Sequence, residues 1–118
     1  MKNDFDPNIP IYIQVMEEIK KDIFSGHYLA GAKIPSVREL ALAYSVNPNT
    51  IQKALSELER TDIIYSKRAL GRYVSEDETL INGLKKDVSS TKIKNFVAEM
   101  AELGYDREAV ITMIKELD

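Results

Sequence analysis

Two helix-start signals stand close together in the middle of this sequence, and a chain carrying both has few ways to fold there. Ser36 followed by Glu39 has capping-box spacing, in which the hydroxyl accepts from a first-turn amide and the carboxylate reaches back to the amide of the cap. Asn47 followed by Pro48 is the second start: the asparagine caps, and the proline takes the first helical position, where its missing N–H costs nothing. Together they predict a short helix after Ser36 with an apolar face of Val37, Leu40, Ala41 and Tyr44. A tight connection at Ser45-Val46-Asn47 and a longer helix to about Arg60 follow. On the longer helix Ile51, Ala54, Leu55 and Leu58 form one stripe, whereas Asn49, Gln52, Lys53 and Ser56 fall together opposite it.

The flanks extend this frame. Residues 1–8 form a polar lead-in, and a helix is predicted over about residues 10–25, with Tyr12, Met16, Ile19 and Ile23 on its buried stripe and Gly26 as a left-handed stop. Gly31 marks a turn, and Lys33-Ile34 suits a short strand. Beyond Arg60, residues 63–66 and 72–75 are β-prone and bracket residues 67–71, which reads as a hairpin with a basic tip. The remainder is helical in pattern. One segment carries Leu80, Ile81 and Leu84; a second carries Ile93, Phe96, Val97, Met100 and Leu103 and ends at Gly104; a last one is capped by Asp106 and carries Val110, Ile111, Ile114 and Leu117.

Charge is distributed unevenly over the 118 residues, whose formal net charge is -3. Residues 1–32 hold three Lys against five acids, residues 33–75 seven Lys and Arg against four, and residues 76–118 six against ten. A basic middle between acidic ends can hold phosphates without indiscriminate adhesion to a duplex, although a surplus of three is also within ordinary surface variation. The absence of cysteine excludes disulfides and thiolate zinc sites. Without a membrane-length apolar run or a signal-peptide pattern, a cytoplasmic location is expected. His27 is the only histidine and lies in a predicted turn, and residues 76–78 read as a solvated helix start. No catalytic residue, metal site or cofactor is therefore expected, and the chain does not read as an enzyme.

Two short helices joined by a tight turn, the second polar outside and followed by a basic hairpin, make the order of a winged helix-turn-helix. A helix fits the major groove, where Asn49 and Gln52 suit adenine edges and Lys53 suits guanine or phosphate. Ser36 and Arg38 can hold a phosphate at the start of the preceding helix. The same pattern also fits an amphipathic helix whose outer face is merely solvated.

Several motifs in order resemble the DNA-binding domain of GntR-family regulators. They are Pro10-Ile11-Tyr12-Ile13-Gln14, Gly26, Gly31, the run from Ile34 to Ala41, the run from Val46 to Ala54, and Leu58-Glu59. The resemblance implies that Ser36, Arg38, Asn47, Asn49, Thr50 and Lys53, with wing positions around Arg68, Gly71 and Arg72, meet double-stranded operator DNA. Three positions depart from the pattern. Ala30 replaces a usual Pro, Asp62 stands where Gly commonly follows the recognition helix, and Ala69 occupies a wing position that is often Gly. The first two are expected to alter loop stiffness, and Ala69 to hinder close approach of the wing to DNA.

The fold expected is α+β and mostly α, with a winged helix-turn-helix over residues 1–75 and a helical region over residues 76–118. The latter is too short for a large effector domain and resembles the short YtrA-like branch, where such a tail serves dimerisation, often in repressors beside transporter operons. Ile93, Phe96, Val97, Met100, Val110, Ile111, Ile114 and Leu117 are the dimerisation residues on this reading, although a tail folded back on its own domain is the alternative. The resemblance thus implies a homodimeric repressor of an inverted-repeat operator; whether a small-molecule effector is a further partner stays open, and the hydropathy gives no reason to expect a membrane partner. The competing reading is a winged-helix protein-interaction module that does not bind DNA.

Overall fold

The computed structural model describes residues 4–118, so the first three residues of the polar lead-in lie outside it. Helix α1 spans Ile11–Phe24, α2 Val37–Tyr44 and α3 Pro48–Arg60. Strands β1 (Ile64–Lys67) and β2 (Gly71–Val74) follow, and then helices α4 (Glu78–Glu102) and α5 (Arg107–Lys115). The chain divides into two compact units, Met1–Asn82 and Gly83–Asp118, with the division inside α4.

In the first unit the core is built where the apolar stripes meet. Val15, Ile19 and Ile23 of α1, Leu40, Ala41 and Tyr44 of α2, and Ile51, Ala54, Leu55 and Leu58 of α3 are buried. Tyr12 and Met16, expected on the buried stripe of α1, are only half-buried, and Val15 takes the central place. A 3.6-residue repeat fits either stripe, and the four-residue spacing of Val15, Ile19 and Ile23 is the one that is fully buried. Gly26 holds a φ of +85° just beyond the C-cap of α1, as a left-handed stop requires.

The capping box at α2 is complete. Ser36 Oγ accepts from the Glu39 amide at 3.1 Å, and the Glu39 carboxylate accepts from the Ser36 amide at 3.0 Å. At α3, Asn47 Oδ1 accepts from the Asn49 amide at 2.7 Å and Pro48 opens the helix. Ser45 makes the turn between them in a left-handed conformation.

The hairpin is antiparallel, pairing Ile64 with Val74, Tyr65 with Tyr73, Ser66 with Arg72 and Lys67 with Gly71. Lys33 adds a single bridge to Tyr73 rather than a full strand. The amide of Ile34 bonds the Arg72 carbonyl and the amide of Val74 bonds the Ala32 carbonyl, so the segment before α2 is tied to β2. Asp62 and Ala69 adopt φ of +63° and +65°. Both residues therefore hold a left-handed backbone at a steric cost, which for Asp62 goes beyond the expected change in loop stiffness.

Residues 78–102 form one helix where two segments were expected. The polar stretch between the two apolar groups contains neither Pro nor a capping-box pair, and the Ser89 hydroxyl donates to the Lys85 and Lys86 carbonyls within the helix. In the second unit Asp106 caps α5 through the Ala109 amide at 2.9 Å, and Gly104 precedes it at φ +93°. Val110 is buried, but Ile93, Phe96, Leu103, Ile111, Ile114 and Leu117 remain exposed.

Candidate nucleic-acid interface

The buried and exposed sides of α3 separate cleanly. Ile51, Ala54, Leu55 and Leu58 have no exposed surface, while Asn49, Gln52, Lys53 and Ser56 are exposed and Thr50 is half-buried. Burial of the first set forces the second outward, because positions three and four apart share a helical face. Asn49, Gln52 and Lys53 are thereby gathered on the N-terminal half of α3. No acidic residue lies in its first turn, so the positive end of the helix dipole is uncompensated there. Glu57, Glu59 and Arg60 lie at the far end.

Lys53 does not hang free. Its Nζ lies 4.1 Å from the centre of the Tyr12 ring, a cation–π contact that restricts the lysine while leaving its charge exposed. Ile11, Tyr12, Asn49, Thr50 and Lys53 line an open depression of about 440 Å³ between the starts of α1 and α3.

The start of α2 supplies a second group. Ser36 and Arg38 are exposed, but the Ser36 hydroxyl and amide are both engaged in the capping box. Glu39 titrates below the usual carboxylate range, chiefly because the Ser36 amide donates to its charged form. Asn47 likewise engages its side-chain oxygen in the cap of α3, and its amide N–H groups are the donors it offers another partner.

The hairpin contributes a third group. Arg68 is exposed in the turn. Gly71 holds a φ of +112°, and a Cβ there would stand 3.1 Å from Lys33 Cε, so glycine serves both the turn and the passage of the lysine. Lys33, Ser36, Gly71 and Arg72 line one groove between α2 and the hairpin. Arg72 is placed differently from Arg68: its Nε donates to Glu59 Oε1 and its side chain is 19% exposed. On the opposite side of the hairpin Tyr65 and Tyr73 stack with ring centres 6.0 Å apart, and Lys67 Nζ lies 4.4 Å from the Tyr73 ring.

Three residues at this face were not singled out as contact residues from the sequence. Lys33 could have been suspected from its position just before the capping box. Tyr12 and Glu59 act across elements, which local spacing does not reveal.

The arrangement has counterparts in known proteins. Residues 11–74 match the family of bacterial regulatory proteins described as the gntR family. The chain is 37% identical over 115 residues to an uncharacterised HTH-type transcriptional regulator, YhcF, of Bacillus subtilis, covering 98% of this chain and 95% of that protein. It is 38% identical over 110 residues to the HTH-type transcriptional repressor YtrA of the same organism, covering 92% and 84%. Among solved structures, a GntR family transcriptional regulator from Listeria monocytogenes superposes with a TM-score of 0.91 at 44% identity, over 97% of this chain and all of that one. The DNA-binding domain of AraR in complex with operator ORX1 superposes with a TM-score of 0.56 at 33% identity, over 64% of this chain and 92% of that one. The match across the three helices and the hairpin, together with relatives aligned over nearly the full length, makes the chain a member of the GntR family of bacterial DNA-binding transcription regulators.

Proposed function

We propose that this chain is a repressor that binds an inverted-repeat operator as a homodimer, each subunit laying α3 in a major groove and its hairpin on the flanking backbone. The observation that carries this reading is the grouping of Asn49, Gln52 and Lys53 on the exposed N-terminal half of a helix whose other side is wholly buried. Amide and amine side chains there match the donor and acceptor pattern of base edges. Ser36, Arg38, Asn47, Thr50, Arg68 and Gly71 surround that group and supply contacts to sugar and phosphate, which set register, with Arg72 beside them on β2.

The second unit supplies the partner contact. Ile93, Phe96, Ile111, Ile114 and Leu117 stay exposed in the single chain, with Val97 and Met100 half-buried beside them, and a second copy is the occupant that also explains a two-fold operator. Val110 is already covered within the chain and supports α5 from inside. Residues 1–75 on this reading bind DNA and residues 76–118 dimerise. The regulated genes on this reading form a transporter operon, and the protein works in the cytoplasm. No helix among the described residues is long and apolar enough to cross a membrane.

Equilibrium binding to duplex DNA across a salt series tests the reading. A few phosphates neutralised per subunit, doubled in a dimer, imply a loss of affinity of roughly a hundredfold or more over a fourfold rise in salt. A flat response would show instead a winged-helix module that recognises protein.

A further inference from the structure

Among the ion pairs of the described residues, that between Glu59 and Arg72 is the least exposed and the only one that joins two separate elements. Glu59 lies in the last turn of α3, and its Oε1 accepts from Arg72 Nε on β2 and, at 3.0 Å, from Ser66 Oγ on β1. Ser66 and Arg72 face each other in the hairpin register, so one carboxylate oxygen gathers a donor from each strand. Ser66 and Arg72 lie two residues from the buried pair Ile64 and Val74, on the same side of the hairpin, because side chains alternate along a strand. The Tyr65, Tyr73 and Lys67 cluster occupies the other side.

We propose that Arg72 is a positioning residue and not a phosphate contact, and that Glu59, Ser66 and Arg72 form a strut fixing the angle between the hairpin and α3. The proposal rests on the DNA-binding reading above and assigns Arg72 a role within it. An arginine whose charge is matched by a neighbouring carboxylate adds little net charge for a phosphate to neutralise. The strut acts instead through geometry. Arg68, at the hairpin turn, reaches the backbone beside the groove only if the hairpin holds its direction relative to Asn49, Gln52 and Lys53. Backbone hydrogen bonds tie β2 to Ala32 and Ile34, and the Glu59 carboxylate adds the side-chain tie that joins both strands to α3, which matters because two strands alone are only marginally stable.

The two roles predict opposite signs for one substitution. Glu59→Gln makes the chain more positive and frees Arg72; were Arg72 a contact, binding would tighten. The strut predicts weaker binding despite the added charge. The probe is a duplex enriched on the parent protein from a random-sequence pool. Glu59→Gln and Arg72→Met should each weaken binding by about tenfold, the double variant no more than either alone. The slope of log affinity against log salt should stay at the parent value in Arg72→Met, because no phosphate contact is lost. In the free proteins, amide hydrogen exchange over residues 64–74 should be faster in both variants while α3 amides keep the parent rate. Glu59→Gln binding as tightly as the parent or more so would overturn the proposal, as would unchanged hairpin exchange. If the parent enriches no sequence, the DNA-binding reading fails, and the exchange measurement alone still decides for or against the strut.

Discussion

Tyr44 shows how a single side chain can serve packing at some polar cost. It is wholly buried at the end of α2, yet its hydroxyl has no hydrogen-bond partner among the described residues. Burial, and then the charge of Asp22, push its phenol above the ordinary range, so it stays neutral at any working pH. Tyr44→Phe keeps the ring and removes the unpaired oxygen, and it should raise unfolding free energy by up to about 1 kcal/mol in urea denaturation. A loss of similar size would mean that the hydroxyl is bonded. The place of Tyr44 on a buried stripe was legible from periodicity, whereas its unsatisfied oxygen was not, because that depends on what α1 brings to meet it. Asp62 and Ala69 were likewise visible as departures from glycine, but their left-handed backbone appears only once the hairpin is built.

At the scale of elements, local chemistry made α2 and α3 readable. Ser36, Glu39, Asn47 and Pro48 act within one turn of the helices they start, and the observed hydrogen bonds are those the residue types imply. Helix α4 was read as two segments because its apolar groups, around Leu84 and around Ile93, are separated by a polar stretch without a stripe. Continuity of a helix is set by the absence of breakers as much as by periodicity. Gly83 sits inside α4 with an ordinary helical φ and nothing within 4 Å of an added Cβ. Gly83→Ala should therefore stabilise the helix by about 0.5–1 kcal/mol, read as a higher melting temperature by circular dichroism. No gain would show that the added Cβ meets a cost that the open surroundings of Gly83 do not reveal. The tie from Glu59 to Arg72 spans 13 positions and lay beyond any helical or strand spacing.

For the molecule as a whole, the proposal joins a reading surface on the first unit to an assembly surface on the second. Ile93 and Phe96 lie one turn apart on α4, 62% and 43% exposed, so Ile93→Glu with Phe96→Glu should leave the single chain folded. Sedimentation should then find monomers, against the dimer proposed for the parent, and operator affinity should fall because the two half-sites are no longer linked. An unchanged dimer would move the interface elsewhere. The central claim is that α3 reads sequence while the start of α2 holds the backbone, and the most direct measurement compares affinity for an enriched operator and for unrelated duplex in three variants. Asn49→Ala and Lys53→Ala should each lose about 1–3 kcal/mol of discrimination between the two duplexes, whereas Arg38→Ala should weaken both alike. Full discrimination retained by both α3 variants, with their fold intact, would contradict the account.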